Sequence, residues 1–382
     1  ARALYIHWPF CLQKCPYCDF NSHVREQVDV DRWQEALVTD MRAEAERAGG
    51  EPLQSIFFGG GTPSLMPPRL VKTLLQEAER QWGFAPNIEI TLEGNPSSVE
   101  ASRYADLAAA GVNRASLGLQ SLDDAALRFL GRLHDTQEGL KALEVAQKCF
   151  ERVSFDLIYA LPDQTLDHWR EQLSRALEMG TSHLSLYQLT IEPGTRFESM
   201  IRRGEFAPLD DDAAADMFEL TQELTSAAGI PAYEISNHAR PGEESRHNLT
   251  YWRYQDYVGI GPGAHGRRGG MATQRHRKPE NWLAAVEERA SGCQSEIAIS
   301  LGEQASEALL MGLRLREGID LREMATRFGI APASFLDHAS LSELIALELA
   351  WQQDDRLGIT PKGMPLLDAI LPRLVHDDLV AA

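Results

Sequence analysis

Three cysteines stand close together near the start of the chain, in the stretch YIHWPFCLQKCPYCDF at positions 5–20. Cys11, Cys15 and Cys18 form a C-x3-C-x2-C pattern, and the chain has five cysteines in all. Three thiols are an odd number for disulfides and one fewer than a closed zinc site needs. A cubane iron–sulfur cluster takes up to four thiolates, so three would leave one iron open to a small molecule. The spacing therefore predicts a reactive 4Fe-4S site, with a set of buried thiols as the alternative.

Glycines and polar residues follow several of the predicted strands. GGGTPS, at 59–64, comes after the second strand, and glycine lets a backbone approach a ligand closely. Glu93, Gln120 and Asp156 fall at the C-terminal ends of later predicted strands. Parallel α/β barrels keep their chemistry at that face. We therefore expect these residues to gather near the cysteines; the alternatives are a tight turn and polar strand ends that face solvent.

The elements that must position these residues form a repeating pattern. Short apolar, β-rich runs occur at 3–8, 55–60, 88–94, 114–120, 153–160 and 183–190. Helical patterns separate them, and each ends near Gly or Pro, where helices stop. Strand and helix alternation indicates βαβ units and a parallel sheet. Six units are two fewer than a full eightfold barrel has. We therefore predict an α/β fold with a partial (β/α)6 TIM-like barrel over residues 1–235.

The pattern changes after residue 235. Residues 236–299 are rich in Gly, aromatic residues, His and Arg, and we expect a connecting region of mostly ordered loop rather than a seventh unit. Residues 300–382 combine helices with a short hairpin, which predicts a winged-helix-like domain. Such modules often bind DNA, but residues 301–382 hold 13 acidic and 7 basic residues, a net charge of −6. A packing or lid role is the better expectation.

The composition argues against several classes of function. The chain has 382 residues, 43% of them hydrophobic, and a net charge of −19. A protein with this much negative charge lacks the basic face that nucleic-acid phosphates require. We therefore expect no nucleic-acid partner. No apolar run approaches the length of a membrane span, and the N-terminus lacks a signal-peptide pattern. We expect a cytoplasmic protein, where thiols stay reduced and free for metal.

The cysteine pattern at the end of a first strand resembles the radical S-adenosylmethionine (SAM) superfamily. The resemblance implies that three cysteines hold a 4Fe-4S cluster whose unique iron binds the amino and carboxylate groups of SAM. One electron from the cluster then cleaves the sulfonium to a deoxyadenosyl radical, so an electron donor is an implied partner. The segment that matches GGGTPS holds the methionine amino group of SAM in that family.

A closer resemblance covers nearly all of the chain. The segments YIHWPFC…KCPYCDF, GGGTPS, LEGNP, GLQS…LGRLH and FDLIYALPDQT together resemble the oxygen-independent coproporphyrinogen oxidase group. Two sets of SAM contacts are implied by that resemblance. The first is Tyr5, Gly60, Gly61, Thr62 and Glu93, and the second, for a second SAM in the oxidase, is Gln120, Arg132 and Asp156.

Two subgroups share this scaffold. The oxidase carries a further cysteine two residues after the third ligand, whereas this chain has Phe20, which matches the heme chaperone subgroup called HemW. The oxidase also has an N-terminal extension, for which the four residues before Tyr5 leave no room, although truncation could mimic that absence. A HemW-type chaperone that binds heme and passes it to acceptor hemoproteins is the favoured interpretation. The alternatives are coproporphyrinogen III oxidase, which decarboxylates two propionates, and a radical SAM enzyme acting on another tetrapyrrole.

The stretch HNLTYW, at 247–252, matches the H-N-x-x-Y-W pattern associated with heme binding in HemW. A neutral imidazole on His247 can ligate iron, and Tyr251 and Trp252 offer flat apolar surface to a porphyrin. The alternative is a hydrogen-bonded packing residue in an aromatic loop. His265, in GPGAH, is a second candidate for the heme ligand, or a residue near SAM.

A basic segment, RRGGMATQRHRK at 267–278, stands out in the acidic chain. It carries Arg267, Arg268, Arg275, Arg277 and Lys278 without one acid. Guanidinium groups suit carboxylates, and porphyrin propionates are carboxylates, so this segment could serve heme or a related tetrapyrrole. A solvated basic loop is the alternative. Two further associations are possible: peripheral contact with a membrane through acceptor proteins, and a homodimer. DDD, at 210–212, is expected to cap a helix.

Overall fold

The structure, a computed structural model, describes residues 2–25 and 27–375. The strands are β1 Ala3–Trp8, β2 Phe10–Cys11, β3 His23–Val24, β4 Leu53–Gly60, β5 Phe84–Gly94, β6 Arg114–Gln120, β7 Arg152–Tyr159, β8 His183–Gln188, β9 Asn237–Ala239, β10 Tyr257–Ile260, β11 His265–Arg268, β12 Met271–Arg275, β13 Cys293–Ala298, β14 Ile319–Asp320, β15 Ala350–Gln353 and β16 Arg356–Ile359. The helices are α1 Val30–Ala48, α2 Pro68–Trp82, α3 Ser98–Ala101, α4 Tyr104–Ala109, α5 Asp124–Phe129, α6 Thr136–Cys149, α7 Leu166–Glu178, α8 Arg196–Arg202, α9 Asp211–Ala227, α10 Arg246–Trp252, α11 Pro279–Arg289, α12 Leu301–Gly312, α13 Leu321–Phe328, α14 His338–Ala346 and α15 Leu367–Leu374.

Residues 3–298 form a partial barrel that is built on one large sheet. Its strand order is β13-β12-β11-β10-β1-β4-β5-β6-β7-β8-β9, and the run from β10 to β8 is parallel. The six strands that the sequence predicts are all present, each followed by one or more helices. Their long apolar runs are buried on both faces, as strands covered by crossover helices must be. The prediction of a partial (β/α)6 barrel is confirmed.

The expectation of mostly loop after residue 235 is wrong. β10 adds a seventh parallel strand beside β1, with Tyr5 opposite Gly259, and β11 to β13 extend that edge as an antiparallel ribbon. The HNLTYW motif lies in α10 rather than in a loop. β10 could not be predicted from a sequence pattern, because it has only four residues, one of which is Gly259. It also pairs with a strand some 250 residues earlier in the chain.

Short polar side chains begin many of the helices, because they satisfy backbone N–H groups that have no partner inside the helix. Asp29 accepts from the N–H of Arg32 at the start of α1. Asp210 accepts from the N–H groups of Asp212 and Ala213 at the start of α9, which confirms the predicted capping role of DDD. These caps fix where each crossover helix leaves the sheet.

The C-terminal part has a core of its own, and its helix–strand–helix–helix–hairpin order is that of a winged helix. β14, β16 and β15 form a three-stranded sheet, in that order, against α12, α13 and α14. The predicted boundary at residues 299 and 300 falls between β13 and α12, and residues 376–382 of the predicted domain lie outside the described residues. Within the described ranges, no helix combines the length and the apolarity that crossing a membrane would take.

Candidate functional site

The three clustered cysteines lie at the rim of a cavity of about 900 Å³ at the C-terminal end of the barrel strands. Cys11 ends β2 and is buried, while Cys15 and Cys18 lie half-buried in the loop that follows. Thr62 donates its hydroxyl hydrogen to the sulfur of Cys11 over 3.5 Å. Arg132 donates from Nη1 to the sulfur of Cys15 over 3.4 Å. The loop therefore presents three sulfur atoms to one cavity. Thr62 and Arg132 donate to two of them, and the third, on Cys18, is hydrogen-bonded to the hydroxyl of Ser22 at 3.8 Å.

The three sulfur atoms are donors that a cubane iron–sulfur cluster can use. Within residues 2–25 and 27–375, no group of three or more His, Cys, Asp or Glu converges to hold one metal ion. A cubane needs no such convergence, because each thiolate binds a different iron. Burial raises the pKa of Cys11 and of Cys18, so both start as thiols and would release their protons to a metal.

The glycine run makes a backbone ledge beside this loop. A Cβ at Gly60 would lie 2.5 Å from the ring of His7, and the φ of Gly60 is 113°. A Cβ at Gly61 would lie 2.7 Å from the carbonyl oxygen of Phe10. Side chains cannot fit at either position, so only glycine allows β4 to pass this close to the cysteine loop. Gly60, Gly61 and Thr62 all line the cavity, and a contact between this ledge and a ligand stays a prediction.

Glu93 and Asp156 place two carboxyl groups in the same cavity, where the charge of Asp156 affects the pKa of Glu93. Burial and the nearby charge of Asp156 raise the pKa of Glu93 to about 8, while the N–H of Gly60 donates to Glu93 over 3.3 Å. Burial raises the pKa of Asp156 to about 6, against a hydrogen bond from Ser185. Asp156 lies in the middle of β7, not at its C-terminal end as the sequence suggested. A ligand with positive charge would favour the ionised form of both groups.

The raised pKa of Glu93 predicts how stability depends on pH in the protein without cluster or SAM. Its pKa of about 8 in the folded state lies above the ordinary 4.5, so between these values the folded state holds a proton that the unfolded state has released. The free energy of unfolding attributable to Glu93 therefore falls as pH rises through this range. In urea denaturation, Glu93→Gln should show a flatter pH profile than wild type; Glu35→Gln, which removes an exposed carboxylate, is the matched control. Parallel profiles for wild type and Glu93→Gln would contradict the assignment.

Gln120 and Arg132 complete this side of the cavity. Gln120 has a φ of 69°, and its buried Oε1 has no hydrogen-bond partner among the described residues. Nη2 of Arg132 donates to Oδ1 of Asn95 over 2.6 Å and to the carbonyl oxygen of Gly118 over 2.8 Å. Nε of Arg132 has no partner in the described ranges either. Unsatisfied buried polar atoms on a cavity wall indicate room for a polar ligand.

Sequence reasoning missed Asn95, although it stands inside the quoted LEGNP segment. Its side chain donates to the hydroxyl of Thr62 over 3.2 Å and accepts from Arg132. It therefore links the two residues whose donors support Cys11 and Cys15. The signal that could have found it is its position two residues after Glu93, at the end of β5.

Tyr5 does not line the large cavity. It lies at a smaller cavity of about 410 Å³, which shares Phe20, Gly60 and Glu93 with the larger one. Its hydroxyl group is hydrogen-bonded to Nδ1 of His7 at 3.0 Å. A contact between Tyr5 and SAM stays a prediction from the resemblance.

His247 is buried in the protein, with 1% of its surface exposed. Its Nδ1 lies 3.0 Å from the hydroxyl of Ser55, its Nε2 lies 2.7 Å from the hydroxyl of Tyr251, and its ring stacks on Phe57. Burial lowers the pKa of His247 to about 3. Heme ligation by His247 stays a prediction, and it would require this residue to give up a hydrogen bond. Trp252 packs near the buried Tyr233 and Leu315 instead of offering a flat surface at either cavity.

The basic segment is not the free cationic patch that its sequence suggested. Three of its five cations pair with acids that lie far away in the chain: Arg267 with Glu307, Arg268 with Glu44 and Glu296, and Arg275 with Asp40 and Glu44. The strands β11 and β12 carry these arginines against α1, α12 and β13. Arg277 and Lys278 are exposed and remain available to an anionic ligand.

The winged-helix-like domain contributes to the large cavity. Met364, Pro365 and Leu367 line its wall, together with the first turns of α9. A contact of this kind fits the packing or lid role that the acidic composition suggested. The cavity is therefore bounded by both parts of the chain.

Two family models match the chain, one on each part. The radical SAM superfamily matches residues 5–176, and the HemN C-terminal domain matches residues 299–366. Among solved structures, coproporphyrinogen III oxidase (HemN) from Escherichia coli, described as a radical SAM enzyme, superimposes with a TM-score of 0.83 at 22% identity. The match covers 97% of this chain and 89% of that one, and it supports the fold.

Curated relatives are more similar in sequence. Heme chaperone HemW from Escherichia coli is 46% identical over 69% of this chain and 70% of its own. Heme chaperone HemW from Mycobacterium tuberculosis strain H37Rv is 35% identical over 97% of this chain and 94% of its own. The mouse protein named radical S-adenosyl methionine domain-containing protein 1, mitochondrial, is 38% identical over 98% of this chain and 87% of its own. Similarity of this extent runs through both parts of the chain.

Proposed function

The chain belongs to the radical SAM superfamily and, within its oxygen-independent coproporphyrinogen oxidase-like family, to the HemW group. From this membership we propose that the protein is a heme chaperone. It binds a 4Fe-4S cluster, SAM and heme, and transfers heme to acceptor hemoproteins. The observation that carries the proposal is the similarity to a heme chaperone across 97% of the chain. Phe20, at the position where the oxidase subgroup has a cysteine, supports the same assignment.

In this proposal Cys11, Cys15 and Cys18 are the cluster ligands, and the large cavity takes SAM. The cluster, when bound, supplies an iron that can chelate SAM and a single electron. Thr62 and Arg132 donate hydrogen bonds to two of the sulfur atoms, which disperses thiolate charge. The ledge of Gly60 and Gly61 gives backbone contact without steric obstruction.

The remaining walls of the cavity suit the charges of SAM, which is a cation at its sulfonium and ammonium groups. Glu93 and Asp156 offer carboxyl groups that ionise in the presence of such charges. Gln120 and Arg132 offer polar atoms that still lack partners among the described residues. We propose that these four residues orient SAM and, as in the resemblance, extend the site toward a second SAM position.

Heme binding and product analysis test the proposed function together. Anaerobically reconstituted protein, titrated with heme, should bind it stoichiometrically with a shifted Soret band. The same protein, incubated with coproporphyrinogen III, SAM and a reductant, should form no protoporphyrinogen. Robust protoporphyrinogen formation would instead establish the oxidase, the second candidate, which the fold similarity to HemN favours. Modification of a different tetrapyrrole would also overturn the proposal.

The proposal also includes the proteins with which this chain interacts. Acceptor hemoproteins receive the heme, an electron donor reduces the cluster, and contact with membranes runs through membrane-bound acceptors. A homodimer and a cytoplasmic location complete the proposal. Transfer of heme to an apo-hemoprotein, followed by the spectrum of the acceptor, measures the step that defines a chaperone.

A further inference from the structure

The smaller cavity has the lining of a ligand site. Its volume of about 410 Å³ lies within the range of about 300–1,000 Å³ that small-molecule sites span. Its walls carry Tyr5, Tyr251, Tyr257, His265 and Arg277. Phe20, which is 60% exposed, lies where this smaller cavity borders the large cavity. A ligand here would touch aromatic rings, an imidazole and a guanidinium group next to the cluster.

Of the three histidines at or behind this cavity, His265 alone has a free ring. Both ring nitrogens of His7 are engaged, by the hydroxyl of Tyr5 and by the carbonyl oxygen of Asn21. Both nitrogens of His247 are engaged as well. His265 is exposed as a whole residue, and its ring forms no side-chain hydrogen bond within the described ranges. Partial burial and the charges of Arg267 and Arg277 lower the pKa of His265, which keeps its imidazole neutral at neutral pH.

Tyr251 and Tyr257 form an aromatic wall whose geometry depends on His247. The centroids of their rings lie 4.5 Å apart, and the rings meet edge to face. The Tyr251 hydroxyl is held 2.7 Å from Nε2 of His247, one helical turn earlier in α10. His247 is in turn held by the hydroxyl of Ser55 on β4. The buried histidine of the HNLTYW motif therefore orients the tyrosine that faces the cavity.

Arg277 places a guanidinium group on the wall of this cavity, which Glu93 also lines. The side chain of Arg277 is exposed and has no ion pair among the described residues, whereas Arg267 on the neighbouring strand is neutralised by Glu307. A guanidinium group in this setting favours a carboxylate, which it can bind through two hydrogen bonds.

We propose that heme binds in this smaller cavity, with His265 as the iron ligand and Arg277 as the partner of a heme carboxylate. Tyr251 and Tyr257 contact the porphyrin, and His247 is a positioning residue that does not touch iron. A flat, apolar ring with an iron centre and two carboxylates matches the free imidazole, the aromatic wall and the free guanidinium group. The inference rests on the proposed function, because it names the heme site of the proposed chaperone.

Heme titration of single variants tests the assignment. His265→Ala should lower heme affinity by about tenfold or more, because even residues that only support a metal ligand contribute about 10–100-fold. Imidazole added to this variant should restore the Soret position of the wild type. His247→Ala should weaken binding without moving the Soret band, since the iron ligand is unchanged. His276→Ala, a matched control beside Arg277 but outside the cavity, should bind heme as wild type does.

The carboxylate contact has its own test. Arg277→Ala should weaken binding of heme several-fold but leave binding of heme dimethyl ester unchanged. Wild-type protein that does not bind heme would overturn the proposed function itself. Wild-type protein that binds heme, with an unaltered Soret band and affinity in His265→Ala, would overturn only the location inferred here. Loss of the wild-type Soret position in His247→Ala alone would return the ligand to the motif histidine.

Discussion

A chain in which Cys11, Cys15 and Cys18 are all replaced by serine should lose its cluster completely. Iron bound after anaerobic reconstitution should fall from about four atoms per chain to none, because the hydroxyl group of serine is a poor substitute for a thiolate toward iron and inorganic sulfide. The broad visible absorbance of the cluster should vanish with the iron. The far-ultraviolet circular dichroism should stay that of wild type, since the cysteines lie in a loop and a two-residue strand at the barrel rim.

The two remaining cysteines provide the matched control. Cys149 ends α6, and Cys293 begins β13 with its thiol donating to the carbonyl oxygen of Ser295 over 3.3 Å. The double variant Cys149→Ser/Cys293→Ser should keep the full iron content and the cluster spectrum. A full cluster in the triple variant, or its loss in the double variant, would refute the ligand assignment.

The barrel could be predicted because its signals are local. Each of the six main strands carries its own apolar run, and each crossover helix its own cap or a terminal Gly or Pro. The cysteine loop and the GGGTPS ledge follow strands that the pattern defines, so their meeting at one rim followed from parallel topology alone. Glu93 and Gln120 joined them for the same reason.

Other features depend on contacts that no local pattern contains. A Cβ at Gly259 would lie 2.1 Å from the carbonyl oxygen of His265, so the glycine that makes β10 resemble a loop is what lets β11 approach it. Likewise, α10 begins where the carboxylate of Glu89 accepts from the N–H groups of Arg246 and His247. The sequence shows a histidine with the right motif, but not that Ser55 and Tyr251 occupy its two nitrogens.

The basic segment is a further case in which distant contacts, which the local sequence does not show, decide the role of a residue. Here these contacts are buried ion pairs, which matter most for stability. Arg275 appeared as one of five cations suited to an anionic ligand, yet it is fully buried and paired. Nη2 of Arg275 donates to Glu44 over 2.6 Å, and Nε lies 3.5 Å from Asp40. Both acids lie on α1, about 230 positions earlier, where helical periodicity alone cannot distinguish a buried acid from a solvated one. The ion pairs therefore fasten α1 to the ribbon that carries His265.

Replacing Arg275 by methionine should destabilise the protein severely. Asp40 would remain buried without its counter-ion and Glu44 would keep only Arg268, and loss of one partner from a buried ion pair costs about 3–5 kcal/mol of the free energy of unfolding. Asp40 would keep hydrogen bonds from Trp282 and from the N–H of Gly292, but these donors carry no net charge. The midpoint of urea denaturation should fall accordingly, with the slope unchanged.

The exposed pair of Arg253 and Glu317 is the control for this substitution. Their side chains are 45% and 44% exposed, so Arg253→Met should cost less than about 1 kcal/mol. Adding Asp40→Asn to Arg275→Met should recover part of the lost stability, because the buried carboxylate that Arg275 leaves without a counter-ion is then neutral, while Glu44 keeps its pair with Arg268. Equal midpoints for Arg275→Met and Arg253→Met would contradict the role of the buried network. In that case the placement of β11 and His265 would depend on strand pairing alone.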